Sequence, residues 1–342
     1  MKNLRKYLGL ILFLFLAGIM NSCMKDDLSK ADLEDTATVT LHINDSRSGG
    51  ISPVEADEGI KTLRVIVLDA GNKVEFNYKQ SFGNEMDPLT EKTVTFLGMT
   101  TGAKKFYVVA NEESLGLMED GYPAKGTTVN NPDDLLKRVI TDAGRSYFPK
   151  LKNETASLPI TGLPITGYKK EVDITTETEN ITIETYHAVA KIVFKVKNTS
   201  SEDITLTGFR LGEFFADQTY LFPSATGQLT GVNYAPFIGT VNRTFTAGAA
   251  ESEYFTCYLY ETPEDKKSDF KVTLFTNNPD LDLPEATINL NEATDYVVKR
   301  NTVINIVATI SKEATVTTPV KVTLNWQVSS WNPVTNNVPS FN

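Results

Sequence analysis

Between Val320 and Ser329 the chain alternates without a break. Val320, Val322, Leu324, Trp326 and Val328 share one face, and Lys321, Thr323, Asn325, Gln327 and Ser329 share the other. A period of two places successive side chains on opposite sides of a pleated strand, so this segment buries its apolar face as β structure. Runs of strand type recur at residues 38–43, 63–69, 74–78, 92–97 and 105–109. They continue at 181–197 (two elements), 204–210, 254–261, 270–276, 286–290 and 296–310. Clusters of Pro, Gly, Asn and Asp separate them, as at Asp69-Ala70-Gly71-Asn72. Many short strands punctuated in this way predict a mainly β protein built as β-sandwiches. The strands lack a common lipid-facing band and aromatic girdles, which disfavours a transmembrane barrel.

Helix signals are few and fall in the first half. Asn111 followed by Glu112 and Glu113 reads as a cap with first-turn acids, leading to Leu115, Leu117 and Met118. Asn131-Pro132-Asp133-Asp134 is a stronger start, with a cap, a proline at the first position and acids at the positive end of the dipole. Leu135, Leu136, Val139 and Ile140 would form its buried face. The duplicated Leu158-Pro159-Ile160-Thr161-Gly162 and Leu163-Pro164-Ile165-Thr166-Gly167 match a sortase signal in each copy. No hydrophobic segment and basic tail follow near the C-terminus, so the repeat reads as extended connection stiffened by proline. The Thr/Glu-rich stretch 173–180 after it is the best break between halves.

The N-terminus carries an address. A basic stub (Lys2, Arg5, Lys6) and an apolar run over residues 8–20 precede Cys23, and the polar Met24-Lys25-Asp26-Asp27 follows. The run is short of the roughly 20 residues that span a bilayer. The arrangement fits a secretion signal of lipoprotein type, with Cys23 as the acylated residue. The expected layout is therefore a signal peptide at 1–22, a tether at 23–35, an N-terminal β-sandwich domain at 36–178 and a C-terminal one at 179–342.

Residues 1–22 hold three of the 33 basic residues and none of the 43 acidic ones, leaving 30 against 43, a net of −13. That balance argues against nucleic acid, whose affinity comes mainly from Lys and Arg. Cys257, the only other cysteine, lies in an apolar strand-like run and reads as a small core residue. Chemistry is hard to find. His42 sits on the polar face of the first strand and His187 beside an apolar run, neither with a partner at metal-ligand spacing. No phosphate loop or nucleophile elbow occurs. Acidic loops such as Asn278-Pro279-Asp280-Leu281-Asp282 lack the register of a calcium hand. The sequence thus predicts no enzyme, no cofactor and no metal.

Several segments, in order, give the chain a resemblance to the FimA-type fimbrillins, pilus subunits of Bacteroidales. They are the signal at Cys23, the strand over 36–43 with Arg47 behind it, residues 59–69 and Lys104-Lys105-Phe106-Tyr107-Val108-Val109-Ala110-Asn111. In the second half Ala190-Lys191-Ile192, Tyr296-Val297-Val298-Lys299-Arg300-Asn301 and the terminal Trp-containing strand join them. Lys25-Asp26-Asp27 resembles the acidic export signal of Bacteroidetes surface lipoproteins. The resemblance implies transthyretin-like sandwiches and a structural subunit at the cell surface. It also implies lipidation at Cys23 and an outer-membrane precursor that later becomes a fimbrium. An Arg-specific, trypsin-like protease would cut between Arg47 and Ser48. Loss of the first strand, with Val39, Leu41 and Ile43 on its buried face, would open a groove. A strand from another subunit would then fill it. Trp331, Val334, Val338 and Phe341 in the C-terminal tail are the expected anchors of that donor, interrupted by Pro333 and Pro339. Partners would be further copies, other pilus subunits and adhesion targets on host or bacterial surfaces. A monomeric surface lipoprotein that binds glycans is the alternative.

Overall fold

A computed structural model describes residues 36–45, 58–82, 91–115, 121–137, 139–141, 150–151, 162–178, 180–223, 229–262, 270–278, 283–288, 298–312 and 320–330. Its strands are β1 (Thr36–Asp45), β2 (Thr62–Leu68), β3 (Val74–Ser81), β4 (Glu91–Thr100), β5 (Gly102–Ala110), β6 (Val139–Thr141), β7 (Lys150–Leu151), β8 (Ile165–Ile174), β9 (Asn180–His187) and β10 (Val189–Asn198). They continue with β11 (Ile204–Ala216), β12 (Gln218–Tyr220), β13 (Tyr234–Gly239), β14 (Arg243–Phe245), β15 (Ser252–Tyr260), β16 (Phe270–Thr276), β17 (Ala286–Ile288), β18 (Thr302–Ser311) and β19 (Lys321–Ser330). A single-turn helix, α1 (Asp133–Leu136), and a 3₁₀ turn at Glu112–Leu115 are the helical elements among the described residues. The protein is mainly β, as its period-two pattern requires.

The first sheet has the order β3-β2-β5-β8-β9-β1-β4. Strands β8 and β9 meet in only two registered pairs, Ile165 with His187 and Thr166 with Tyr186. A Cβ on Gly167 would stand 2.3 Å from the Glu184 carbonyl oxygen, so glycine permits the close crossing at this corner. The parts on either side face each other across one apolar cluster. Leu63, Val65, Val67, Phe106 and Val108 meet Val39, Leu41, Ile43, Val94, Phe96, Ile181 and Ile183 there.

The second half, joined by β7 from the first, forms two sheets, β19-β18-β10-β15-β7 and β13-β11-β16-β17, with β14 also paired to β11. Their shared cluster is aromatic at its centre. The Phe255 ring stacks on Phe194 at 4.9 Å and on Phe209 at 3.8 Å. A third cluster joins the halves, because β2, β5 and β15 are buried on both faces. Ile66, Leu68, Tyr107 and Val109 turn away from the first cluster and pack with Phe222, Tyr258 and Tyr260. Beside it Arg300 pairs with Glu261 and donates to the carbonyls of Tyr220, at 2.7 Å, and Leu221, at 3.2 Å.

The structure corrects several expectations. Residues 178/179 do not separate the sheets, because β9 lies beyond that point yet pairs with β1 and β8; the chain changes sheet at Ala188. The helix after Asn131 ends at Leu136. Val139 and Ile140 instead belong to β6, which pairs with β12 far along the chain. Tertiary pairing overrides the local helical pattern there. Asn131 does supply the cap, its Oδ1 accepting from the Asp133 amide at 3.2 Å. Asn111 is no helix cap; at φ 58° its side chain bonds to other segments. The second copy of the proline repeat opens β8 rather than merely connecting, while residues 158–161 lie outside the described residues. Strands β6, β7, β8, β12, β13 and β14 are not among the strands read in the sequence.

Candidate functional site

The first strand shows the one-sided burial that its alternation implies, with Val39, Leu41 and Ile43 buried, Thr38 exposed and Thr40 and His42 partly so. Its pairing on both edges is what alternation does not give. Thr36 to Asn44 pair antiparallel with β4, from Thr36 opposite Thr100 to Asn44 opposite Glu91, with an irregularity between Ala37 and Val39. Thr40 to Asp45 pair in parallel with β9, from Thr40 with Asn180 to Asp45 with Thr185. Strand β1 is thus an interior strand with neighbours on both edges. Val39, Leu41 and Ile43 are each 0% exposed.

Fully burying such side chains contributes about 1.5–3 kcal/mol each. The three together hold β1 by roughly 5–9 kcal/mol before the cost of ordering the chain is subtracted. Removing β1 would leave a slot with defined walls. Val94, Phe96 and Met99 form the β4 wall, Ile181 and Ile183 the β9 wall, and β2 and β5 the floor. Phe96 is itself braced by edge contacts with Phe76 at 4.9 Å and Tyr78 at 5.9 Å. The outer face is polar. The Thr40 and Thr95 hydroxyls lie 3.2 Å apart and His42 Nε2 lies 3.1 Å from Asn180 Oδ1.

Ion pairs brace one end of this slot and the outer side of its floor. Where β1 begins, opposite Thr100, Lys104 Nζ lies 2.7 Å from Glu75 Oε2, and the Thr100 amide donates to Glu75 Oε1 at 2.5 Å. On the outer side of the β2–β5 layer Arg64 grips Glu112 with two bonds, at 2.7 and 2.9 Å. Lys79 reaches both Glu112 and Glu113 at 2.8 Å. Burial pushes the Glu112 carboxyl upward, but bonds and charge from Arg64 and Lys79 outweigh it and hold the group below the usual carboxylate range. Glu261 shows the same contest, won by Arg300.

Of the residues singled out in the sequence, Val39, Leu41 and Ile43 come together as one buried row. Cys23, Arg47, Ser48, Trp331, Val334, Val338 and Phe341 lie outside the described residues. Asp45, the last residue of β1, stands two positions before Arg47, and β19 ends at Ser330, next to Trp331. The wall residues Val94, Phe96, Ile181 and Ile183 were legible as strand residues but not as neighbours of β1. His187 is fully buried at the end of β9, its amide donating to Asn301 Oδ1 at 3.3 Å. Cys257 is buried in the second core. Among the described residues no cluster of His, Cys, Asp and Glu has the make-up of a metal site, and no helix is long and apolar enough to cross a membrane. The slot offers main-chain hydrogen bonds and apolar sockets, the means of binding a strand.

Fold and slot together define a multi-sheet β protein with a buried, doubly paired first strand. The sequence model of the major fimbrial subunit protein (FimA) family matches residues 37–234, from β1 to the start of β13. The chain belongs to that family. Among solved structures it is similar to a fimbrilin of Porphyromonas gingivalis W83, at 14% identity and TM-score 0.54, covering 88% of this chain and 99% of that one. It is also similar to the tip fimbrial protein Mfa3 of Porphyromonas gingivalis with C-terminal truncation. There the identity is 14% and the TM-score 0.55, with 86% and 100% covered. These two likenesses concern the fold. A comparison with curated proteins finds no match. The family is one of structural fimbrial subunits of the cell surface.

Proposed function

We propose that this fimbrial subunit polymerises by strand exchange at the β1 slot, triggered by proteolysis. The chain is exported as a lipoprotein, acylated at Cys23 and held at the outer membrane. A trypsin-like protease cuts between Arg47 and Ser48, which severs the lipid and β1 from the rest. An extended segment of another copy or another pilus subunit then occupies the slot. Its donor is the tail after β19, with Trp331, Val334, Val338 and Phe341 as anchors. The assembled fimbrium serves adhesion. Two β-sandwich domains make up the subunit, the first built on the seven-stranded sheet that includes β9, while β6 and β7 pair with strands of the second.

One observation carries this reading. Strand β1 is fully buried on its inner face and paired on both edges, yet it is joined to β2 only through residues 46–61, where Arg47 stands. A cut there makes β1 a separate, non-covalent piece of the core whose loss exposes two strand edges at once.

The test uses the purified mature protein and limiting Arg-specific protease, followed by size and N-terminal sequence. A single early cut with Ser48 as the new N-terminus, then slow growth of ladders, is expected. Scattered cutting, or clean cutting that leaves a permanent monomer, refutes the reading.

A further inference from the structure

The chain leaves β1 at Asp45 and is next described at Glu58, and both points stand near the change of sheet at Ala188. Asp45 pairs with Thr185, just before it. Glu58, 3% exposed, accepts from Lys191 Nζ at 2.6 Å, just after it. One side chain makes four bonds to the residues around this stretch, beside the Phe82 amide on the Lys61 carbonyl at 2.9 Å and Thr62 Oγ1 on Glu113 at 2.6 Å. Asn111 Nδ2 donates to the carbonyls of Gly59, at 2.8 Å, and Leu163, at 2.6 Å, while its Oδ1 accepts from the amides of Lys61, at 2.7 Å, and Thr62, at 3.2 Å. Asn111 therefore ties the start of β2, the end of β5 and the approach to β8 together.

The backbone is shaped for this node. Asn111 adopts φ 58°, which asparagine tolerates better than most residues. Gly162 adopts φ 68°, and a Cβ on it would fall 2.3 Å from Asn111 Nδ2. Ile60, 1% exposed, belongs to the same cluster as Val39, Leu41 and Ile43, so it loses neighbours when β1 leaves.

The geometry points to a latch on the processed end of the chain. We propose that Asn111, with the Glu58–Lys191 pair, holds residues 58–62 in place after β1 departs, so that the slot keeps its floor while empty. This rests on the reading that β1 is released. The latch partners lie at the end of β5, before β8 and on β10, so removing β1 breaks none of these bonds. A free end that begins ten residues upstream of Glu58 frays only as far as the latch. Without it, fraying reaches β2, whose inner face forms the floor that an arriving strand packs on.

The experiment uses the full mature chain with a foreign protease site placed within residues 46–57, so that cutting does not depend on Arg47. Variants are Asn111→Gly, which keeps the positive φ and deletes the amide, and the double change Glu58→Gln with Lys191→Met, which leaves no lone buried charge. Amide exchange over Thr62–Leu68 is read in the intact protein and again after the cut, once gel filtration shows that the β1 fragment has left. In wild type the cut leaves exchange within about threefold of the intact protein; in each variant the cut raises it by about tenfold or more beyond any change in the intact variant. Equal acceleration in wild type and variants, or no acceleration in any cut variant, overturns the latch. Should Asn111→Gly fail to fold, the double variant decides alone. Failure of cutting at Arg47 in the native chain counts against strand release and leaves this comparison intact.

Discussion

Leu41→Ala gives the sharpest single perturbation of the slot. Leu41 is 0% exposed and lies opposite Val94 on β4 and beside Ile181 on β9. Truncating a fully buried leucine costs about 2–5 kcal/mol, from lost transfer energy and the cavity left behind. Taking ~3 kcal/mol, and ~1.4 kcal/mol per factor of ten, the hold on β1 weakens by roughly 150-fold. In the intact chain the loss appears as lower global stability, because β1 stays tethered. In a chain cut behind β1 it appears as release of the N-terminal fragment. The assay is gel filtration with mass spectrometry of cut protein over time, and denaturant unfolding of the intact protein. The expected result is a fragment that leaves about two orders of magnitude sooner, with the remainder still folded. Thr40→Ala is the control. It removes an exposed hydroxyl contact with Thr95 and should change release by less than about fivefold. Equal fragment retention in Leu41→Ala and wild type would refute the view that the buried row holds β1.

Other outcomes follow from the same geometry. Glu112 and Glu261 are held below their ordinary value of 4.5, so they stabilise the fold fully above that value and the contribution is lost as pH falls through their folded values; unfolding followed from pH 7 to 3 should show stability flat at first and declining below about pH 4.5. Gly167→Ala forces β8 and β9 apart at the corner and should cost about 1–3 kcal/mol in denaturant unfolding, more than an alanine at Gly71, where a Cβ would make only an ordinary contact with the Asp69 side chain. Cys257 is fully buried with its thiol pushed up by desolvation, so a thiol reagent should label it only at the rate of unfolding, measured by mass spectrometry across denaturant concentrations.

How much was legible in the sequence depends on what kind of information each element carries. Strands β1 and β19 were readable because a period of two survives over their length, and the apolar row Val39, Leu41 and Ile43 is the buried row observed. What alternation cannot give is the neighbour. Nothing local says that β1 pairs with β9, some 140 residues away and in parallel, so its interior position was missed. The short strands β6, β7, β12 and β14 have no room to show a period, and tertiary pairing decides them. The break at 178/179 followed composition, since a Thr/Glu-rich stretch resembles a linker, yet Thr175 to Thr178 form a turn closed by a hydrogen bond and β9 returns to the first sheet. The order of weak motifs nonetheless identified the family that the matching sequence model shows.

The central claim is that one slot is filled, emptied and refilled, and amide exchange along its walls reads this directly. Exchange of those amides of β4 and β9 that point at the β1 edge, within Thr93–Phe96 and Ile181–Ile183, should be slow in the unprocessed protein, fast once the β1 fragment has been removed, and slow again in purified polymer. Walls that stay equally protected through all three stages, while polymer still grows, would contradict the account.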